Sequence, residues 1–268
     1  MAEASQKQLI TTLKNLLVTG ASSDFTVTCG PDTYKVHKNI VCSRAGFFAR
    51  ALRFGGKEAI ENTVDLPEDD PAVIKLLFQW IYEGDYEPTA DQAPADQEPV
   101  WPSTECEAKF PHRCCNGWGS CQTTVCTHHT CGTDCDRDCN SFTCRSCEPG
   151  AEASEEEKEL LIHAKMYEIA DKYDIPGLKD LVKVKFRLAC KLSWNTLAFG
   201  NAAHYAFSTT PDDDKGLRDI VTDTIAAHMK ALLKLPEIGA LLIEFNGLAY
   251  DLLKTRVYPE LQQHEARW

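Results

Sequence analysis

The fold is decided by residues 23–86, SDFTVTCGPDTYKVHKNIVCSRAGFFARALRFGGKEAIENTVDLPEDDPAVIKLLFQWIYEGDY. Apolar residues alternate with threonines from Phe25 to Cys29, and the alternation resumes over residues 34–36 after a Gly-Pro-Asp turn. This period of two predicts a β-hairpin. Val64 and Leu66 indicate a short third strand.

Apolar residues at helical spacing lie between the hairpin and the third strand, and again after that strand. Phe47, Phe48, Ala51 and Leu52 recur at intervals typical of a helix before the third strand. After that strand, Asp70 and Pro71 predict a helix start, and Gly84 predicts its end. The stretch therefore predicts a mixed α+β fold, a small three-stranded sheet flanked by helices.

This pattern resembles the BTB/POZ domain family. The motifs that carry the resemblance are Ser23-Asp24-Phe25, Val36-His37-Lys38, Arg44 with Phe47-Phe48, Trp80-Ile81-Tyr82, and the later segments 164–173 and 175–179. The resemblance implies a discontinuous BTB/POZ domain over 6–86 and 156–191, interrupted by an insert over 87–155. A helical C-terminal extension over 193–268 is similar to that of fungal-type members.

Composition and charge limit the classes of function. Hydrophobic residues make up 43% of the 268 residues, which is ordinary for a globular protein. No run is long and apolar enough for a membrane span, and the N-terminus lacks a signal pattern, so we expect a cytoplasmic and/or nuclear protein. The net charge of −12 disfavours nucleic acid as the main partner. No phosphate-binding loop or nucleophile motif is present, and His37 has no nucleophile near it in sequence, so we expect no enzyme.

The first helix is predicted over residues 5–19, with Ser5 as a possible N-cap and Gly20 as its end. Its apolar stripe consists of Leu9, Leu13, Leu16 and Leu17. Periodicity alone favours packing within the same domain.

The family resemblance adds another use for that helix, since BTB domains commonly form homodimers across it. It also implies a charged pocket near the dimer interface, which Asp24 and Arg44 match. These two residues form a buried ion pair there, or each is solvated or caps a helix.

Family members that recruit a cullin ubiquitin ligase carry a hydrophobic-x-Glu triplet after the second apolar helix. The corresponding residues are Gly56, Lys57 and Glu58, so the glutamate is present and the hydrophobic anchor is absent. Phe54 could replace the anchor if the loop is shifted. A cullin is therefore a candidate partner whose binding this departure puts in doubt.

The insert contains ten of the thirteen cysteines and almost no aliphatic residues in its second half, so an apolar core cannot fold it. In a reducing compartment this composition predicts structural zinc. The candidate ligands are Cys106, Cys114, Cys115, Cys121, Cys126, His128, His129, Cys131, Cys135, Cys139, Cys144 and Cys147. A disulfide-linked or redox-responsive loop and an unligated insert remain alternatives.

The charge of the insert indicates what it could bind. Residues 87–159 hold fifteen Asp and Glu against five Lys and Arg, a net charge of −10. An acidic module is poorly suited to phosphate, so a protein-binding or stabilising role is favoured.

Helical patterns return after the insert, and Ser154 with Glu157 predicts a capping box. In the second of these helices, four residues are expected to face inward: Leu181, Val182, Phe186 and Leu188. Further helices are predicted over residues 194–205, 217–233, 236–245 and 248–257.

We therefore predict a self-associating, non-enzymatic protein-interaction scaffold or adaptor, with a cullin as one candidate partner. The alternatives are a transcriptional or chromatin regulator using the zinc module, and a metal- or redox-responsive switch with reactive thiols.

Overall fold

The computed structural model describes residues 2–88 and 155–257. The chain divides into two compact units, Met1–Pro94 with Ser154–Trp268, and Ala95–Ala153, the second of which lies outside the described residues. The predicted domain boundaries at 86, 156 and 191 stay predictions.

Fifteen elements form the described part of the chain. They are α1 (Ala2–Thr19), β1 (Phe25–Cys29), β2 (Asp32–Val36), α2 (Lys38–Arg44), α3 (Gly46–Arg53), α4 (Lys57–Glu61), β3 (Thr63–Asp65), α5 (Pro71–Glu83), α6 (Glu155–Lys172), α7 (Pro176–Ser193), α8 (Leu197–Thr209), α9 (Lys215–Ala227), α10 (Met229–Leu232), α11 (Pro236–Glu244) and α12 (Asn246–Val257).

The sheet has the order β2-β1-β3, with β1 antiparallel to β2 and parallel to β3. Phe25 pairs with Val36 in the hairpin, and Val27 pairs with Val64 on the other side. Gly30 turns the hairpin with a φ of 53°, a conformation that glycine adopts without strain. The predicted hairpin and the short third strand are confirmed.

Helix α5 is the central helix of the N-terminal half. The Asp70 carboxylate accepts a hydrogen bond from the backbone N–H of Ala72 at 3.0 Å, Pro71 occupies the first turn, and Gly84 ends the helix with a φ of 79°. The predicted start and end are thus confirmed. Eight residues of α5 are buried: Val73, Ile74, Leu76, Leu77, Phe78, Trp80, Ile81 and Tyr82.

The helices after the insert pack into the same unit as the sheet domain. Helix α6 contacts α5, α7 and α8, and α7 also contacts α9. The predicted helical C-terminal region is confirmed. The predicted capping box at Ser154 lies outside the described residues.

Three details of the sequence prediction were wrong. Helix α1 begins at Ala2, so Ser5 lies inside it and is not its N-cap. The helix predicted over 217–233 breaks at His228, whose ring stacks on Trp194 with a centroid distance of 3.8 Å. Leu188 is 54% exposed and does not face inward, because the apolar residues of α7 lie on two faces.

Candidate interaction surface

Helix α1 lies on the surface of the unit, against α5 and β2. None of its side chains over residues 4–19 is buried. Leu13, Leu16 and Leu17 are partly buried against the core, and Leu9 is 59% exposed. The helix therefore keeps an apolar surface that residues 2–88 and 155–257 cover only in part.

One ion pair joins α1 to α5. Lys14 Nζ lies 3.2 Å from Glu83 Oε2, with the lysine half exposed. Such a pair contributes little to stability, because water and salt screen it.

The structure does not bring the two predicted charged residues together. Asp24 Oδ1 accepts a hydrogen bond from the backbone N–H of Lys38 at 2.8 Å, at the start of α2. The N-cap residue of that helix makes no side-chain capping bond, so Asp24 satisfies an N–H that would otherwise lack a partner. Of the two readings left open, helix capping is the one observed for Asp24.

Arg44 has a different set of partners. Its Nη1 donates to the carbonyl oxygen of Ile81 at 2.9 Å, and its guanidinium lies 4.1 Å from the centre of the Trp80 ring. Burial lowers the pKa of Arg44 from its usual range. Within residues 2–88 and 155–257, no ion pair joins Asp24 to Arg44. A role of either residue in a dimer stays a prediction.

His37 connects three parts of the sheet domain. Its Nδ1 lies 2.8 Å from Tyr82 Oη, its backbone N–H donates to the same oxygen at 2.9 Å, and its Nε2 lies 2.8 Å from the carbonyl oxygen of Ala21. Burial raises the pKa of Tyr82 to about 12, so the phenol stays protonated. These contacts fit a histidine that fixes local structure.

The predicted cullin contact lies between α3 and α4. Phe54 follows the last residue of α3 and is 85% exposed, and Gly56 precedes the first residue of α4. Ile60, which the sequence analysis did not single out, is 78% exposed on α4. A helix of five residues is too short for periodicity to separate a buried residue from an exposed one.

A buried hydrogen-bonded group ties together the chain on either side of the insert. Tyr86 Oη lies 2.7 Å from Nδ1 of His163 on α6, and both side chains are buried. Lys185 Nζ donates to the Tyr86 carbonyl oxygen at 2.8 Å and pairs with Asp85 at 2.8 Å. The sequence analysis missed this group, because Lys185 is 99 residues from Tyr86 and no local pattern links the two.

Burial determines the charge state of that group. Burial, with a smaller contribution from the positive charge of Lys185, lowers the pKa of His163 to about 3. Burial also raises the pKa of Tyr86 above its usual range. At neutral pH, His163 is therefore an uncharged hydrogen-bonding partner of a protonated phenol.

All twelve predicted zinc ligands lie outside the described residues. In the described part, no group of three or more His, Cys, Asp or Glu side chains is placed to hold a metal ion. The described cysteines are Cys29, Cys42 and Cys190, none of them in a disulfide. Burial raises the pKa of Cys29 to about 11 and of Cys190 to about 12, which favours the unreactive thiol.

None of the helices within residues 2–88 and 155–257 has the length and apolar character that a membrane crossing needs.

Comparison with protein families gives one result that agrees with this geometry. Residues 13–97 match the model of the BTB/POZ domain. The comparison with curated proteins found no match. BTB domains are protein-protein interaction modules that generally self-associate and are not typically enzymes. The chain therefore contains a BTB/POZ domain.

Proposed function

We propose that this protein is a self-associating, non-enzymatic scaffold or adaptor whose first helix forms the dimer interface. The observation that carries the proposal is that α1 has no buried side chain over residues 4–19, although it holds several large apolar residues.

An isolated α-helix gains most of its stability from packing an apolar face. In α1, Leu13, Leu16 and Leu17 receive part of that packing from the chain itself. Leu9, on the same stripe, receives little, since it is 59% exposed. A second copy related by a two-fold axis would cover this surface with the same residues.

The test is the molar mass of the full chain by light scattering at several concentrations. Wild type should have the mass of a dimer, and Leu9→Glu should shift the equilibrium toward the monomer, because a carboxylate is costly to bury. Ile243→Glu is the matched control, since Ile243 is 79% exposed, more than Leu9, but lies on α11. A wild-type chain that is monomeric throughout, or a mass that both variants change equally, would contradict the proposal.

The adaptor role includes a cullin as partner. The support is the exposed apolar pair Phe54 and Ile60 beside Glu58, because a few large apolar side chains usually supply most of the binding energy of an interface. The hydrophobic anchor missing at Gly56 remains a departure from the family pattern.

Position 56 accepts a larger side chain without backbone strain. The φ of Gly56 is −73°, and an added Cβ would approach only Glu58 Oε2, the end of a flexible side chain. Gly56→Leu should therefore fold and strengthen cullin binding, while Phe54→Ala should weaken it. If neither wild type nor Gly56→Leu retains a purified cullin on affinity beads, the ligase role is wrong.

The cysteine-rich insert is proposed to be a structural zinc module whose folding is independent of the BTB core. The support is its sequence, ten cysteines with few aliphatic residues. Elemental mass spectrometry on reduced, purified protein should find two or three zinc ions per chain, with thiols released by a chelator. Absence of metal with all thiols reactive would contradict it, and unfolding of the chain after deletion of 90–155 would contradict its independence.

The alternative role is a transcriptional or chromatin regulator that uses the zinc module. The net charge of −10 over residues 87–159 counts against contact with DNA. A mobility shift on duplex DNA at low salt would favour this alternative over the scaffold, and its absence would exclude DNA contact.

A further inference from the structure

Helix α7 has two apolar faces, and only one of them faces the core. Its inner face buries Leu178, Val182, Phe186, Ala189 and Cys190. On the other side, Val184, Leu188 and Leu192 are 56%, 54% and 74% exposed.

These three residues follow one another at intervals of four, so they form one ridge along two turns of the helix, about 12 Å long. Leu181, three residues before Val184, is half-buried and packs against the core beside this ridge. We call Val184, Leu188 and Leu192 the outer stripe. Single exposed apolar residues are common, but a continuous row on one helix is typical of a surface that a partner covers.

Two cations border the outer stripe on one edge. Arg187 lies three residues after Val184, and Lys191 lies three residues after Leu188, so both project beside the stripe on the same side. Both are exposed. On the opposite edge, Lys185 is held by Asp85 and by the carbonyl oxygen of Tyr86.

This charge pattern favours one kind of partner for the outer stripe over a second copy of the chain. In an antiparallel pairing of two copies, each helix edge faces the same edge of its partner, so Arg187 and Lys191 would face identical cations. A helix with an apolar stripe and carboxylates beside it would instead bury the leucines and neutralise the cations.

We propose that the outer stripe of α7 is a second interaction surface, which binds an amphipathic helix of a partner protein with Asp or Glu beside its apolar residues. The recognition is that of a helix laid along a helix, with apolar contacts supplying affinity and the charged edge supplying specificity. This surface lies on a different helix from the α1 interface, so it would allow a scaffold to hold a partner while it self-associates.

The test uses two designed helical peptides of about 18 residues, long enough to form a helix when bound. Both carry leucines at i, i+4, i+7 and i+11. One has Glu at the flanking positions and the other has Lys. Fluorescence anisotropy of each labelled peptide is measured against the full chain.

The acidic peptide should bind wild type, and the basic peptide should bind far more weakly. The double variant Arg187→Glu with Lys191→Glu should weaken the acidic peptide about tenfold and strengthen the basic one, because two ion pairs are replaced by repulsion. Lys234→Glu with Lys254→Glu is the matched control, since it makes the same change in net charge at exposed sites elsewhere. Leu188→Ala should weaken both peptides.

Tighter binding of the basic peptide by the charge-reversed variant also shows that this variant is folded. The proposal is overturned if neither peptide binds wild type, if both bind equally, or if the double variant behaves as the control does. It is also overturned if Leu188→Ala lowers the molar mass of the chain and leaves peptide binding unchanged, since a second copy would then cover the stripe.

Discussion

Helices α1 and α5 lie against each other, yet they differ in how much of their apolar surface the chain covers. Eight of the thirteen residues of α5 are buried, and no side chain of α1 over residues 4–19 is. Both helices carry apolar residues at helical spacing. The difference shows that the same pattern serves folding where the chain surrounds the helix, and is available for association where it does not.

The largest test of this difference is the removal of one leucine from each helix. Leu77→Ala in α5 should lower the free energy of unfolding by about 2–5 kcal/mol, because Leu77 is fully buried and the change leaves a cavity. Leu9→Ala should change it by less than about 0.5 kcal/mol in monomeric protein. Urea unfolding monitored by circular dichroism measures both. Equal losses would show that α1 belongs to the core.

Acid should act through His163, which lies on α6 and is hydrogen-bonded to Tyr86 beyond the end of α5, whereas α1 contains no histidine. The pKa of His163 is about 3 in the folded chain, below its ordinary value of 6.5, so the unfolded chain binds an extra proton between those values. Stability should therefore fall as the pH falls through this window, by about 2 kcal/mol between pH 6.5 and 4.5.

The control for this effect is His163→Gln, which cannot take up the proton. Its own stability is lower at neutral pH, but the part of the acid dependence due to His163 should be missing from its urea unfolding curves. A wild-type stability that follows the same pH course as the variant would contradict a neutral, buried His163.

Helix capping offers a smaller test. Asp70→Ala should cost about 1 kcal/mol, because the N–H of Ala72 loses its acceptor. Ser5→Ala should be nearly neutral, because Ser5 lies inside α1. Asp70 also pairs with Lys165 at 2.9 Å, so Asp70→Asn, which keeps the cap, separates the two contributions. If Asp70→Asn costs as much as Asp70→Ala, the ion pair and not the cap is responsible.

The ion pair between α1 and α5 should contribute least to the free energy of unfolding. Lys14→Met should lower the free energy of unfolding by less than about 1 kcal/mol, since Lys14 is exposed and salt screens the pair. Thermal unfolding at low and high salt measures this, and the difference from wild type should shrink at high salt. A loss that persists at high salt would indicate that the lysine stem contributes by packing.

The sequence was sufficient where neighbouring residues carry the signal. Alternation over residues 25–29 predicted β1, and Asp70, Pro71 and Gly84 predicted both ends of α5, because caps and turns depend on residues close in sequence. It was insufficient for Leu188, whose spacing fits either face of an amphipathic helix. Only the neighbours of α7 decide which face is inside.

The prediction of the candidate interaction surface had the same limit, because the sequence reveals local patterns and not contacts between distant residues. The sequence pointed to α1 and to Phe54, and it missed Ile60 because a single turn of helix has no readable period. It also missed the contact of Tyr86 with His163, which joins residues 77 positions apart.

The sequence by itself determined the strand and helix pattern, the resemblance to BTB domains, the acidic charge and the clustering of cysteines, since each depends on residue type and local spacing. Tertiary structure decided that Asp24 caps α2 while Arg44 lies on Trp80, and that His163 is buried and neutral. It also decided that the described part of the chain leaves Leu9 of α1 and the outer stripe of α7 exposed. The physical reason is that burial, and the charge state that follows from it, are set by which distant segments meet around a side chain.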